Sequence, residues 1–245
     1  MIIEALFQID ADCPYCEHTF KTSRVRSSFK RPYKMDSDFC PHYKEDRPNP
    51  DFYVVRVCPK CGCASTEHAT KRWLPHQRVA FEAKVAKQWQ SREYGGERSW
   101  EIALETYQLA LVTAQAISES QRVIAGLLHH MAWLFRYRGA EELEKRYLQF
   151  ALDAYINTYE QEWRDQNDAK LIYMIGEMHL RLSQYNDAAK CFARIIHDKR
   201  IMDASVIRAA REQWVVMRER MAADKLGEPD VKLEEKSTKL KYISG

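Results

Sequence analysis

The sequence predicts a mainly α fold with a small β-rich part at its N-terminus, and three observations lead there. Seven of the eight prolines lie at or before Pro75, and only Pro229 follows. Two Cys-x-x-Cys pairs, Cys13/Cys16 and Cys58/Cys61, bracket the first quarter of the chain. From His76 onward apolar residues recur at helical spacing, with no proline to interrupt the backbone ladder before Pro229. The expected organisation is a metal-binding head over 1–75 and a helical part over 76–225. A charged tail without a core pattern covers 226–245.

The head follows from its cysteines. Each pair puts two sulfurs at the tip of one tight turn, and two such turns supply four soft ligands for a tetrahedral ion. The second turn reads Cys58-Pro-Lys-Cys61-Gly62, and the first Cys13-Pro-Tyr-Cys16-Glu17. Proline fixes φ after the leading sulfur, and Gly62 tolerates the positive φ that turns N–H groups toward sulfur. Glu17 holds the matching place in the first turn and is less suited to it. Alternating runs flank each turn: Leu6–Ile9, Phe20–Arg26, and Asp51–Val57, which is rich in β-formers. Strand, knuckle, strand, excursion, strand, knuckle is the order of a zinc ribbon. Zn2+ is the expected ion at Cys13, Cys16, Cys58 and Cys61, with a rubredoxin-like iron site using the same knuckles as the alternative.

Composition limits the other classes. The 245 residues are 45% apolar and 30% charged, with net charge +3, as expected of an ordinary globular chain. The start, Met1-Ile-Ile-Glu-Ala-Leu-Phe, has no basic n-region, and no apolar run reaches the roughly 18 residues of a membrane span. A cytoplasmic location is the expectation, where reduced thiols favour metal over disulfide. Seven cysteines, an odd number, fit a disulfide framework poorly.

Between the pairs, Lys21, Arg24, Arg26, Lys30, Arg31 and Lys34 run without an intervening acid, and Phe29 and Tyr33 interleave with them. Such a segment could contact phosphates and stack bases, making nucleic acid a candidate partner. The competing expectation is a solvated basic face opposite Asp36, Asp38, Glu45 and Asp46. Cys40, His42, Cys63 and His18 are further potential ligands, read first as structural cysteines and polar loop residues. Asp36-Ser-Asp38-Phe39 reads as a turn-capping segment.

A longer string of residues now carries a resemblance. It comprises the Cys-Pro-x-Cys turn with Phe20, Val25-Arg26-Ser27, Asp36-Ser-Asp38-Phe39-Cys40-Pro, Asn49-Pro50-x-Phe52-Tyr53-x-Val55-x-Val57 and Cys58-Pro-Lys-Cys61-Gly62. Together these resemble the bacterial family DUF2225, closely over 10–65 and more loosely through the helices. The resemblance implies a zinc-binding head joined to tetratricopeptide-like helices. Cys63 departs from it where an aromatic is common, and Glu17 where glycine is common.

The helical part carries a repeat signal. Counted from Gly176, Ala188, Phe192 and Ile195 fall 12, 16 and 19 places on, the small, small, aromatic, apolar spacing of a tetratricopeptide repeat. A weaker copy runs through Ala132, Glu144, Leu148 and Ala151, 44 residues earlier, so the helices must be longer than in a 34-residue repeat. The expected fold of 76–225 is therefore a TPR-like helical repeat, an α-solenoid. Trp100–Ser118 and Gln121–Tyr137 read as an antiparallel pair, and 203–225 as a last helix. Gly95, Gly96 and Gly139 mark turns, and Ser99 and Asp203 N-caps. Trp133, Trp163 and Trp214 read as core residues. Tyr107, Arg136, Arg138, Tyr155 and Arg181 are candidates for a partner-binding concave face.

Catalysis is not expected. The chain has no His-Glu-x-x-His, nucleophile elbow or phosphate-cradling glycine loop. Adjacent His129 and His130 point different ways from a helix, and His179 and His197 stand alone. Cys191 sits inside the repeat motif and reads as core packing. The expected function is a non-enzymatic zinc-binding adaptor that docks a protein partner through its helices. The alternative is a nucleic-acid-binding protein using the basic segment of the head.

Overall fold

The computed structural model describes residues 4–161, 168–227 and 229–231. Among these are seven α-helices and three two-stranded antiparallel ladders, all of the latter near the N-terminus, so the chain is mainly α with a small β part. It divides into two compact units, Met1–Arg164 and Asp165–Gly245.

In the first unit, β1 (Leu6–Asp12) pairs with β2 (Thr19–Val25), Asp12 opposite Thr19 at the tip. The first cysteine pair is the loop of this hairpin. The second pair is the loop between β5 (Arg56–Val57) and β6 (Ala64–Ser65), and β3 (Lys34–Met35) with β4 (Pro41–His42) forms a small ladder between them. The strand expected over Asp51–Val57 shrinks to two residues. A 3-10 turn over Pro50–Tyr53 replaces its first half, because Pro50 fixes φ at the first position and the Asn49 side chain accepts from Asp51 N at 2.9 Å.

Four helices complete the unit: α1 (Pro75–Lys84), α2 (Trp100–Ala116), α3 (Gln121–Tyr137) and α4 (Glu141–Gln161). Ser99 caps α2 by accepting from Ile102 N, as its position in the sequence implies, and Gly139 turns the chain after α3 with φ +64. The head does not end in a gap at residue 75. Val55, Val57 and Ala64 share one buried cluster with Tyr107, Ala110, Met131 and Leu134. The division between compact units therefore falls after α4, at 164/165, and not at the 75/76 boundary drawn from proline content.

Arg98 ties the same region together. It is 4% exposed and donates to the carbonyls of Tyr94, Phe52 and Val55 at 2.8–3.0 Å, with its guanidinium 5.7 Å over the Tyr53 ring. Among the described residues no carboxylate bonds to it, and burial lowers its pKa to about 10.

The second unit holds α5 (Ala169–Arg181), α6 (Tyr185–His197) and α7 (Ala204–Ala223). Asp168 and Asp203 cap α5 and α7. A Cβ on Gly176 would lie 2.9 Å from both Cys191 Cβ and the Phe192 ring, so α5 and α6 approach at a spacing only glycine permits. Gly176→Val is expected to lower unfolding free energy by about 1–3 kcal/mol through overpacking, read by urea unfolding. Trp133 and Trp214 are buried, whereas Trp163 lies outside the described residues. The expected tail, 226–245, also lies outside them apart from 226–227 and 229–231. No helix among the described residues is long and apolar enough to cross a membrane.

Candidate metal centre

The two knuckles have the same backbone. In each, the leading cysteine's N–H donates to the carbonyl five residues on: Cys13 to His18 at 3.1 Å, Cys58 to Cys63 at 2.9 Å. Its carbonyl accepts from the residue four on: Glu17 N at 3.0 Å, Gly62 N at 2.9 Å. That residue lies in the left-handed region both times, at φ 59 for Glu17 and φ 73 for Gly62. Glu17 therefore adopts the conformation that glycine would take more cheaply, which explains why its identity does not spoil the turn. In the first knuckle Cys16 N also donates to Cys13 Sγ at 3.5 Å.

Folding of the two hairpins brings the tips together. Cys13 Sγ lies 3.5 Å from Cys61 Sγ, Cys16 Sγ lies 3.7 Å from Cys58 Sγ, and all four sulfurs fall within 4.8 Å of one another. Three of the four cysteines are buried and Cys16 is half-buried. The four could hold a metal ion. An S4 tetrahedron around zinc, at about 2.3 Å per bond, has edges of about 3.8 Å. Contacts with Cys58, Cys61 and Cys63 pull the Cys13 pKa down, and the Cys13 contact pushes Cys58 up to about 12. Cys63 is thus a fifth sulfur packed beside the four, buried at 2% exposure.

Each tip has its own clamp, and neither was evident from the cysteine pattern. Arg78 of α1 donates to the carbonyls of Pro14 and Tyr15 and lies 5.2 Å over the Tyr15 ring. Tyr15 packs in turn on Phe81 and Trp73. The second tip is covered by Trp89, whose Nε1 donates to Pro59 O at 2.8 Å. A Cβ on Gly62 would overlap that indole. Opposite effects follow. Gly62→Ala is expected to lower stability by at least about 1–2 kcal/mol, from the left-handed backbone and the Trp89 overlap together. Glu17→Gly is expected to raise it by up to about 1 kcal/mol, since only the backbone penalty changes. Thermal unfolding of the metal-loaded protein checks both.

A second group, Asp36, Cys40 and His42, brings three donor atoms within 4.8 Å of one another. Here positive charge is already supplied by Arg136 Nη1 and Lys34 Nζ, each 3.0 Å from Asp36, and His42 Nε2 lies 2.8 Å from the same carboxylate. The Cys40 thiol donates to Tyr137 Oη at 3.6 Å, and burial pushes it up to about 12. Asp38 beside it is fully buried and accepts from both Arg136 Nη atoms, Trp133 Nε1, His129 and Cys40 N. The Asp36–Asp38 segment is therefore an anchor between the head and α3 rather than a simple turn cap.

The basic candidates do not form one face. Lys21 and Arg24 lie on opposite faces of β2 and pair with Asp10 and Glu67. Arg26 lies 5.1 Å over Phe7 and donates to Glu4 O. Lys34 pairs with Asp36, leaving Lys30 and Arg31 exposed beside Tyr33, itself 65% exposed. The candidates for a concave face fare similarly. Tyr107 is fully buried, its hydroxyl donating to Asp51 O at 2.8 Å. Arg136 is locked to Asp36, Asp38 and Glu144, Tyr155 packs edge-on to His129, and Arg181 lies 3.6 Å from Glu177. Arg138 alone of the five is largely exposed, stacked on Trp100.

A family model described as "Uncharacterized protein conserved in bacteria (DUF2225)" matches residues 6–217. No curated protein and no solved structure matches the chain.

Proposed function

The chain belongs to the bacterial DUF2225 family, and we propose that it is a cytoplasmic, non-enzymatic adaptor whose head is held together by one zinc ion. Cys13, Cys16, Cys58 and Cys61 would fill all four positions of the ion, so the site is closed and its role structural. The observation that carries this is the pair of knuckles with the same backbone hydrogen bonds, whose sulfurs meet at 3.5 and 3.7 Å. Sulfur-only ligation admits zinc or iron. Elemental analysis should find one zinc per chain in colourless protein; a coloured, iron-loaded protein overturns the assignment.

The adaptor half of the proposal rests on the helices. TPR-like helix pairing is supported by the close approach at Gly176, and an apolar surface by α4, where Leu143 and Phe150, on one helical face two turns apart, are each 42% exposed. Affinity capture with the full chain should enrich one protein that is lost with Leu143→Asp/Phe150→Asp. An unchanged set of captured proteins argues against docking there.

The second reading, nucleic acid, is favoured by one observation: Lys30, Arg31 and Tyr33 are exposed together. Lys30→Ala/Arg31→Ala should then weaken single-stranded RNA binding and reduce its salt dependence. No binding at low salt removes this reading.

A further inference from the structure

Glycine is a poor helix former, so a glycine inside a helix asks for a reason. At Gly176 the reason is close packing. Gly126, inside α3, has no such reason: a Cβ built there meets nothing within 4 Å apart from its own stretch of helix. The space beside it is a cavity of about 480 Å³. That volume lies within the range of about 300–1,000 Å³ typical of small-molecule sites.

Val54, Val123, Leu127 and the bare backbone of Gly126 make an apolar wall, and no acidic side chain among the described residues lines the cavity. His130, one helical turn on from Gly126, lines it too. This imidazole is held in place. Its Nδ1 lies 2.8 Å from Gly126 O, its ring stacks on Tyr107 at 5.8 Å, and it packs on Trp133 at 4.5 Å. A carbonyl can only accept, so in the neutral ring the proton is on Nδ1 and Nε2 carries the lone pair. Nε2 has no hydrogen-bond partner among the described residues. Tyr107 cannot supply one, since its hydroxyl donates to Asp51 O at 2.8 Å.

We propose that this cavity binds an apolar alcohol, its hydrocarbon body lying along Gly126 between Val54 and Leu127 and its hydroxyl donating to His130 Nε2. The acceptor selects the head group: a carboxylate brings lone pairs only, and an ether has no proton to give. One fixed polar group set in an apolar wall is how small-molecule pockets orient what they bind. The glycine is then explained as the residue that keeps the wall clear.

Isothermal titration of the full-length, metal-loaded chain tests this with octanol as the probe. Its isomer heptyl methyl ether, which accepts but cannot donate, and the charged octanoate are the comparisons. Octanol should bind saturably and about fivefold more tightly than the ether, the ratio that one net hydrogen bond supplies. His130→Phe keeps a ring against Tyr107 and Trp133 and removes the acceptor. It should bring octanol down to the affinity of the ether and leave the ether unchanged. Gly126→Leu should abolish binding of both while melting no lower than wild type, because leucine fills open space and favours the helix. Absence of saturable octanol binding, equal affinities of octanol and ether for wild type, or undiminished octanol binding by Gly126→Leu overturns the proposal. Octanoate binding more tightly than octanol, to wild type and His130→Phe alike, overturns it too, since a cation would then be reading the head group. If either variant does not fold, the octanol-to-ether ratio in wild type decides.

Discussion

Changing Cys13, Cys16, Cys58 and Cys61 together to serine is expected to abolish metal binding and unfold the β1–β2 hairpin with the α1 region packed on it. The four sulfurs are not appended to a core that already exists. Cys13, Cys58, Cys61 and Cys63 are members of the buried cluster that also contains Phe20, Trp73, Phe81 and Val85. Structural zinc contributes about 10–16 kcal/mol of apparent binding energy at pH 7. Whole domains are stable by only about 5–15 kcal/mol. Loss of even a third of the zinc contribution, about 3 kcal/mol, lowers the melting temperature by about 6–12 °C in a chain of this size. Amide exchange should show protection lost at residues 6–25 while α3, whose residues Leu127, Met131 and Leu134 lie in a different buried cluster, keeps its own. A chelator should reproduce the effect in wild type. Acid should too, since thiol protons compete with the ion as pH falls. A quadruple variant that melts with wild type would end the structural-metal account.

Much of this was legible in the sequence, for identifiable reasons. Local chemistry fixes local structure: the Cys-Pro-x-Cys turns, the Ser99 and Asp203 caps and the gap between α2 and α3 each depend on a few adjacent residues. The α2 and α3 bounds accordingly differ from expectation only at residues 117–118. Tertiary partners are a different matter. The β-former content of Asp51–Val57 lost to Pro50 and the Asn49 cap, a local signal that was present but outweighed. Arg78 and Trp89, which clamp the knuckles, lie 63 and 30 residues from the carbonyls they bind. Nothing adjacent to them marks that role. Two of the partner-face candidates, Tyr107 and Arg136, are polar groups largely buried with partners, because polarity alone does not imply exposure; Arg138 is exposed.

Arg136→Met is expected to be the most damaging single substitution away from the cysteines, lowering unfolding free energy by about 3–5 kcal/mol. Arg136 grips Asp38 with both Nη atoms, at 2.9 and 2.7 Å, while Nη1 also reaches Asp36 and Nε reaches Glu144. Asp38 is fully buried, so removing the guanidinium strands a carboxylate from which water is excluded. The cost is set by that stranded charge more than by the value of the pair itself. Arg136→Met combined with Asp38→Leu should therefore recover part of the loss, and Arg136→Lys should fall between, since an ammonium cannot reproduce the fork. The same node predicts acid sensitivity in two steps. Burial depresses His129 below its ordinary 6.5. The unfolded chain therefore takes up that proton first, and stability present above pH about 6.5 declines as pH falls below it. His42, Lys34 and Arg136 hold Asp36 below its ordinary 3.8, so its contribution persists to lower pH and is lost only as pH falls below about 3.8. Urea unfolding from pH 8 to pH 3 should show both declines in wild type, and only the second in His129→Gln. A cost below about 1 kcal/mol for Arg136→Met would mean that the node behaves as a solvated surface pair, and the anchoring of the head to α3 would have to come from apolar contact alone.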